Sequence, residues 1–210
     1  GALQSLFESG DASIIANIGP LIEPVTKTSF EAGTVALPPQ LFSHNDQQKL
    51  WETSGLTTPE SVLFDEKRGL YYVSCINQVP PTSKDNDGYI ATLDQKGNII
   101  NQFFASNLSA PKGMAVNDKY LYVTDIDEFV QIDLATTDMA KMAIAGAQFL
   151  NDVSIAPDGT VYFTDMNTNT IYTYTDGKLG KFLQDDNLKN PNGIYVDETS
   201  ITVSSFSEGD

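Results

Sequence analysis

Residues 46–210 are predicted to be all-β and to form a β-propeller, and three observations predict it. Four motifs recur: Pro59-Glu60-Ser61-Val62, Pro111-Lys112-Gly113-Met114, Leu150-Asn151-Asp152-Val153 and Pro191-Asn192-Gly193-Ile194. Their starts lie 52, 39 and 41 residues apart (59 to 111, 111 to 150, 150 to 191). Each motif opens a run of β-forming residues, and a turn and a second such run follow it. A lone four-stranded sheet cannot bury both faces, so sheets repeating at about 40 residues must stack on one another, which is how propeller blades are built.

Taken in order, residues 1–45 differ from the rest and are read as an N-terminal arm. Ala2 to Gly19 has helical spacing of Leu3, Leu6 and Phe7, and Pro20, Pro24 and the Pro38-Pro39 pair then break regular structure. The first blade is predicted from Pro59 to Phe64, Leu70 to Ser74, Tyr89 to Leu93 and Ile99 to Phe104. Between its second and third strands, the Pro-, Asp- and Asn-rich stretch Val79 to Gly88 lengthens the first interval and belongs in a loop. The second blade follows as Pro111 to Val116, Leu121 to Asp125, Phe129 to Leu134 and Lys141 to Ile144. The third comprises Leu150 to Ile155, Val161 to Asp165, Thr170 to Tyr174 and Lys181 to Leu183. Pro191 to Val196 and Ile201 to Ser204 begin a fourth. Lys49 to Glu52 stands before Pro59 as Lys181 to Gln184 stands before Pro191, and is read as the outermost strand of a preceding blade. The sequence accounts for about four blades, and a larger ring needs residues beyond it.

Charge removes several functions. Twenty-eight acidic residues against twelve basic ones give a net charge of −16, and Arg68 is the only arginine. Nucleic-acid phosphates and anionic lipid are repelled by such a field. No apolar run approaches a membrane span. Cys75 is the only cysteine and His44 the only histidine, so an internal disulfide, a Cys- or His-rich zinc site and most triad chemistries are excluded. Cys75 is expected to be a buried apolar residue.

The innermost strand of each blade lines the channel, and its first residues sit at one mouth. Glu60, Lys112, Asn151 and Asn192 therefore converge. A carboxylate and two amide carbonyls suit Ca²⁺ or Mg²⁺, while polar residues after Pro also cap turns, and both readings stand. Lys112 either pairs with Glu60, holds an anionic substrate or faces solvent. Asp152 is a base candidate, although strand alternation is expected to point it away from the axis. Asp85-Asn86-Asp87-Gly88 is read as a solvated hairpin tip, and Asp125, Asp127, Glu128 and Asp165 as turn residues.

At these residues the chain resembles the gluconolactonase family, which includes senescence marker protein and luciferin-regenerating enzyme and is related more distantly to paraoxonase. The likeness rests on Pro59-Glu60, on Leu150-Asn151-Asp152-Val153 leading to Pro157-Asp158-Gly159, and on Pro191-Asn192-Gly193, and covers roughly Lys49 to Ser205. It implies a six-bladed propeller with a divalent cation in the channel, Ca²⁺ first and Mg²⁺, Mn²⁺ or Zn²⁺ through oxygen ligands as alternatives. The implied activity is hydrolysis of lactones or related small esters, with a lactone or sugar-like substrate. By motif, Glu60 matches that family's metal carboxylate and Asn192 its asparagine ligand. Asn151 matches an asparagine that meets substrate in some members and metal in others, and Lys112 joins it as a substrate-binding candidate. The family's metal-binding aspartate, also its proposed base, would lie beyond Asp210, and Lys112 has no counterpart. A non-catalytic propeller serving as a binding or interaction module of the cell envelope is the other reading. The arm and the acidity point to a periplasmic or secreted protein, with the cytoplasm left open.

Overall fold

In the computed structural model residues 50–206 are described, and the expected arm, with His44 and Lys49, lies outside them. Fourteen strands follow one another among the described residues. They are β1 (Pro59–Asp65), β2 (Leu70–Cys75), β3 (Gly88–Leu93), β4 (Ile99–Leu108), β5 (Pro111–Val116), β6 (Tyr120–Asp125), β7 (Glu128–Asp133), β8 (Met139–Ala143), β9 (Leu150–Ile155), β10 (Val161–Asp165), β11 (Thr170–Thr175), β12 (Lys178–Gln184), β13 (Pro191–Val196) and β14 (Ile201–Ser205). They pair as three antiparallel four-stranded meanders, β1-β2-β3-β4, β5-β6-β7-β8 and β9-β10-β11-β12, and one two-stranded sheet, β13-β14. Every blade therefore starts at one of the four sequence motifs. The predicted β-propeller is the observed architecture.

Core residues sit between the sheets. Tyr72 and Ile90 of the first blade pack with Met114, Leu121, Val123, Val130 and Ile132 of the second. Ala115, Tyr122 and Phe129 of the second meet Leu150, Val153, Val161, Phe163, Tyr172 and Tyr174 of the third. Ala156 and Ile171 of the third meet Ile194 and Val196 of the fourth. Middle strands have a sheet neighbour on each side, and β3 is buried at all six positions, Ile90 packing with the second blade and Tyr89, Ala91 and Leu93 with Leu56, Tyr71 and Ile99. Outer strands are wetter, and β12 is exposed throughout.

That exposure explains where prediction and structure differ. Strand β4 continues to Leu108, β8 occupies Met139–Ala143, and β12 spans Lys178–Gln184. An edge strand with one wet face carries little hydrophobic alternation to mark its ends. Leu50 to Glu52, part of the expected outermost strand, form no ladder among the described residues. Trp51 instead lies on Tyr71, with ring centroids 5.5 Å apart, and against Gly97, whose φ of +80° and lack of a Cβ admit the indole. Thr53 Oγ1 donates to Gly97 O at 2.6 Å. This segment is thus fastened over the first blade. Cys75 is buried as expected.

Arg68 ties the first two blades at the end remote from Glu60. It donates to Asp65 Oδ2 within its own turn at 2.8 Å and to Asp118 O of the next blade at 2.5 Å.

Candidate functional site

All four innermost strands break register at the same place. In β1, Pro59 faces Cys75 and Ser61 faces Ser74, so Glu60 is the extra residue. In β5 the break lies between Pro111 and Met114, in β9 between Leu150 and Val153, and in β13 between Pro191 and Ile194. These are β-bulges, which turn side chains out of strict alternation, and they coincide with the candidate residues Glu60, Lys112, Asn151, Asp152 and Asn192.

A hydroxyl on the second strand faces each bulge. Ser61 N donates to Ser74 Oγ at 3.1 Å, Asp152 N to Thr164 Oγ1 at 3.1 Å and Gly193 N to Ser204 Oγ at 3.0 Å. Two hydroxyls also reach the next blade: Thr124 Oγ1 donates to Asn151 O at 2.5 Å, and Thr164 Oγ1 to Asn192 O at 2.8 Å. The bulges of the second, third and fourth blades are therefore linked in succession through the carbonyls of Asn151 and Asn192. Ser74, Thr124, Thr164 and Ser204 occupy matching places in the second runs, a signal the sequence carried without its use being evident.

Asp152 departs from the expectation that alternation points it away. Its Oδ2 accepts from Ile194 N of β13 at 2.9 Å. On the other side, a Cβ added to Gly113 of β5 would come within 2.6 Å of Oδ1 and 2.7 Å of Asn151 O. The carboxylate therefore spans the gap between the flanking innermost strands, because the bulge in β9 rotates it there. Burial raises its pKa, and the Ile194 and Val153 amides pull it back. For Glu60, an exposed residue, partial desolvation of the carboxyl raises the pKa, Lys112 lowers it, and Asp152 raises it further. Glu60 is thus within electrostatic reach of both.

Lys112 overturns the solvent-facing alternative. It is 1% exposed, donates through Nζ to Ala110 O at 2.9 Å and Pro81 O at 3.4 Å, and lies 4.4 Å from the Phe149 ring centroid. Burial lowers its pKa to about 8, against the attraction of Asp125 and Glu60. Asp125 is itself buried and accepts from Ser109 N at 2.8 Å and Ala110 N at 2.6 Å. Asp165 does the same in the third blade for Gln148 N and Phe149 N. Both carboxylates thus hold the turn before an innermost strand, as expected of turn residues, while Asp125 also belongs to the surroundings of Lys112.

The asparagines differ in setting. Asn151 is buried, and Asn192 is half-buried with its Nδ2 donating to Met166 Sδ at 3.8 Å. By type, Glu60, Asn151 and Asn192 offer oxygen to a hard cation. Two features oppose one: the equivalent residue of the second blade is a buried ammonium, and Asp152 Oδ2 is engaged by a backbone amide. The donor types suit a hard cation, and the Lys112 charge opposes it.

No helix among the described residues is long and apolar enough to cross a membrane. No protein-family model matches the chain, and no curated protein matches it in sequence. Solved structures do. A nidogen/laminin complex is similar at 14% identity and a TM-score of 0.56, over 72% of this chain and 57% of that one. A Xanthomonas campestris gluconolactonase is similar at 12% identity and a TM-score of 0.56, over 71% and 55%. The chain thus spans little more than half the length of either. At such identities the likeness speaks for architecture, and the architecture is that of a β-propeller.

Proposed function

We propose that this chain carries the ligand-binding mouth of a β-propeller that hydrolyses small lactones or related esters. One observation carries the reading: Glu60, Lys112, Asn151, Asp152 and Asn192 stand at matching bulges of four successive blades, with Glu60 in electrostatic contact with Lys112 and Asp152. A gluconolactonase among the similar structures supports the substrate class by analogy of fold.

In this reading the Asn151 and Asn192 amides bind the hydroxyls and ring oxygen of the substrate. A carboxylate of the pair Glu60 and Asp152 takes the proton of an attacking water. The water oxygen bonds to the carbonyl carbon, the ring C–O bond breaks, and the proton passes to the departing alkoxide. Carboxyls with raised pKa values suit this work, since a base is more effective as its pKa approaches the working pH.

The test is acid release from δ-gluconolactone and γ-butyrolactone by the purified chain, followed with a pH indicator. Glu60→Gln and Asp152→Asn are each expected to lower kcat/KM by about 10²-fold or more. Absence of turnover on both lactones by the unsubstituted chain overturns the hydrolase and leaves a binding module.

A further inference from the structure

Position 112 is the exception among four equivalent bulges. Three of them present oxygen-bearing side chains, Glu60, Asn151 and Asn192, and the fourth presents an amine. That amine is not a surface lysine folded back by chance. Its Nζ is clasped by carbonyls from two separate segments, Pro81 of the loop between β2 and β3 and Ala110 at the start of β5, and the Phe149 ring from the third blade lies against it. Among the described residues no carboxylate forms a salt bridge with it. Its nearest influences are the acidic groups Asp125 and Glu60, the latter also acting on Asp152. A buried ammonium is expensive unless its charge is compensated, and the acidic groups Asp125 and Glu60, whose attraction reaches it, are themselves eased by a cation. Each defect compensates the other.

We propose that the Lys112 ammonium is a built-in counter-ion of this acidic mouth, filling the electrostatic place of a metal ion, so that the mouth takes an uncharged, oxygen-bearing molecule with no metal bound. The ligand half of this statement rests on the reading of the mouth as the binding site; the metal half does not. Because Lys112 is almost wholly covered, it acts through its field on Glu60 and Asp125, as a positioning residue, rather than by touching the ligand. A divalent cation gathered by Glu60, Asn151 and Asn192 would meet its repulsion.

Calorimetric titration of the EDTA-treated chain with CaCl₂ and MnCl₂ tests this independently of turnover. The unsubstituted protein and Lys112→Arg should take up no ion below about 1 mM, whereas Lys112→Gln, which removes the charge and adds a carbonyl oxygen, should bind at least about tenfold more tightly. Adding Glu60→Gln to Lys112→Gln should abolish that gain. Uptake of one equivalent at micromolar concentration by the unsubstituted protein, lost in Glu60→Gln, overturns the proposal; so does a folded Lys112→Gln that stays metal-free. Should Lys112→Gln fail to fold, the ¹⁵N-lysine ammonium resonance of the unsubstituted protein decides. A buried, slowly exchanging ammonium should give a signal unmoved by CaCl₂, and its displacement overturns the proposal. Loss of lactonase activity with metal-free behaviour intact would count against the hydrolase alone.

Discussion

A lysine held out of water writes its cost into the pH dependence of stability. Lys112 has a folded pKa of about 8 against an ordinary 10.5. Below pH 8 both folded and unfolded chains carry the proton, and the folded state bears the full penalty of the buried charge. Between 8 and 10.5 the unfolded chain binds more protons, so stability rises with pH. Across pH 8 to about 9.5 the gain amounts to about 2 kcal/mol. Tyr72, Tyr122, Tyr172 and Tyr174 have raised pKa values, so their contribution fades only as pH climbs past 10. Urea midpoints of the unsubstituted chain and of Lys112→Met over that range should therefore diverge, the first rising and the second staying level. Parallel curves would mean that folded Lys112 keeps its proton through this range as the unfolded chain does, so that burial does not lower its pKa. The sequence placed this lysine at the right bulge, yet could not show its burial, because the groups covering it, Pro81 and Phe149, come from loops distant in the chain. Asp152 failed for a related reason: alternation is a rule for regular strands, and β9 is irregular at that residue.

Among elements, the innermost strand and its neighbour were the most legible, since Tyr-Val-Thr-Asp at 122–125 and Tyr-Phe-Thr-Asp at 162–165 repeat both hydrophobic pattern and polar ending. What the pattern did not disclose is the use of the hydroxyl. Thr164 Oγ1 accepts from Asp152 N and donates to Asn192 O, joining the third blade to the fourth. Valine fills the same space but offers neither function, leaving a backbone amide and a carbonyl short of a partner. Thr164→Val should cost about 1–2 kcal/mol, and Thr164→Ser, which keeps the hydroxyl, much less. Urea denaturation of the two variants measures this, and a neutral Thr164→Val would remove the hydroxyl from the account of how the bulges are joined. Lactone hydrolysis should fall in the valine variant as well, because the same bond fixes the carbonyl end of Asn192.

For the whole molecule, the issue is whether stacked blades unfold together or one at a time. Repeat proteins owe their stability to the contacts between neighbouring units, and weakening a single interface can uncouple them. Here the interface between the second and third blades is centred on Phe129, fully buried, whose ring stacks on Phe163 at 4.4 Å with 12° between planes and lies 5.7 Å from Tyr122. Tyr174 joins the same group at 5.2 Å, and its hydroxyl donates to Gln131 Oε1 of the second blade at 2.6 Å. Phe182 on the outer strand β12 is the natural control, being 52% exposed and packed only edge-on against Tyr162. Removing the Phe129 ring leaves a cavity shared by two blades, so Phe129→Ala should cost about 3–5 kcal/mol. Phe182→Ala should cost about 1 kcal/mol or less. If the blades form one cooperative unit, the Phe129 variant will unfold in a single transition at lower urea, with fluorescence and far-UV circular dichroism coincident. Two separated transitions would instead show that this interface alone holds the halves of the arc together, and that the mouth residues on either side of it, Glu60 and Lys112 against Asn151, Asp152 and Asn192, are kept in register by a handful of aromatic rings.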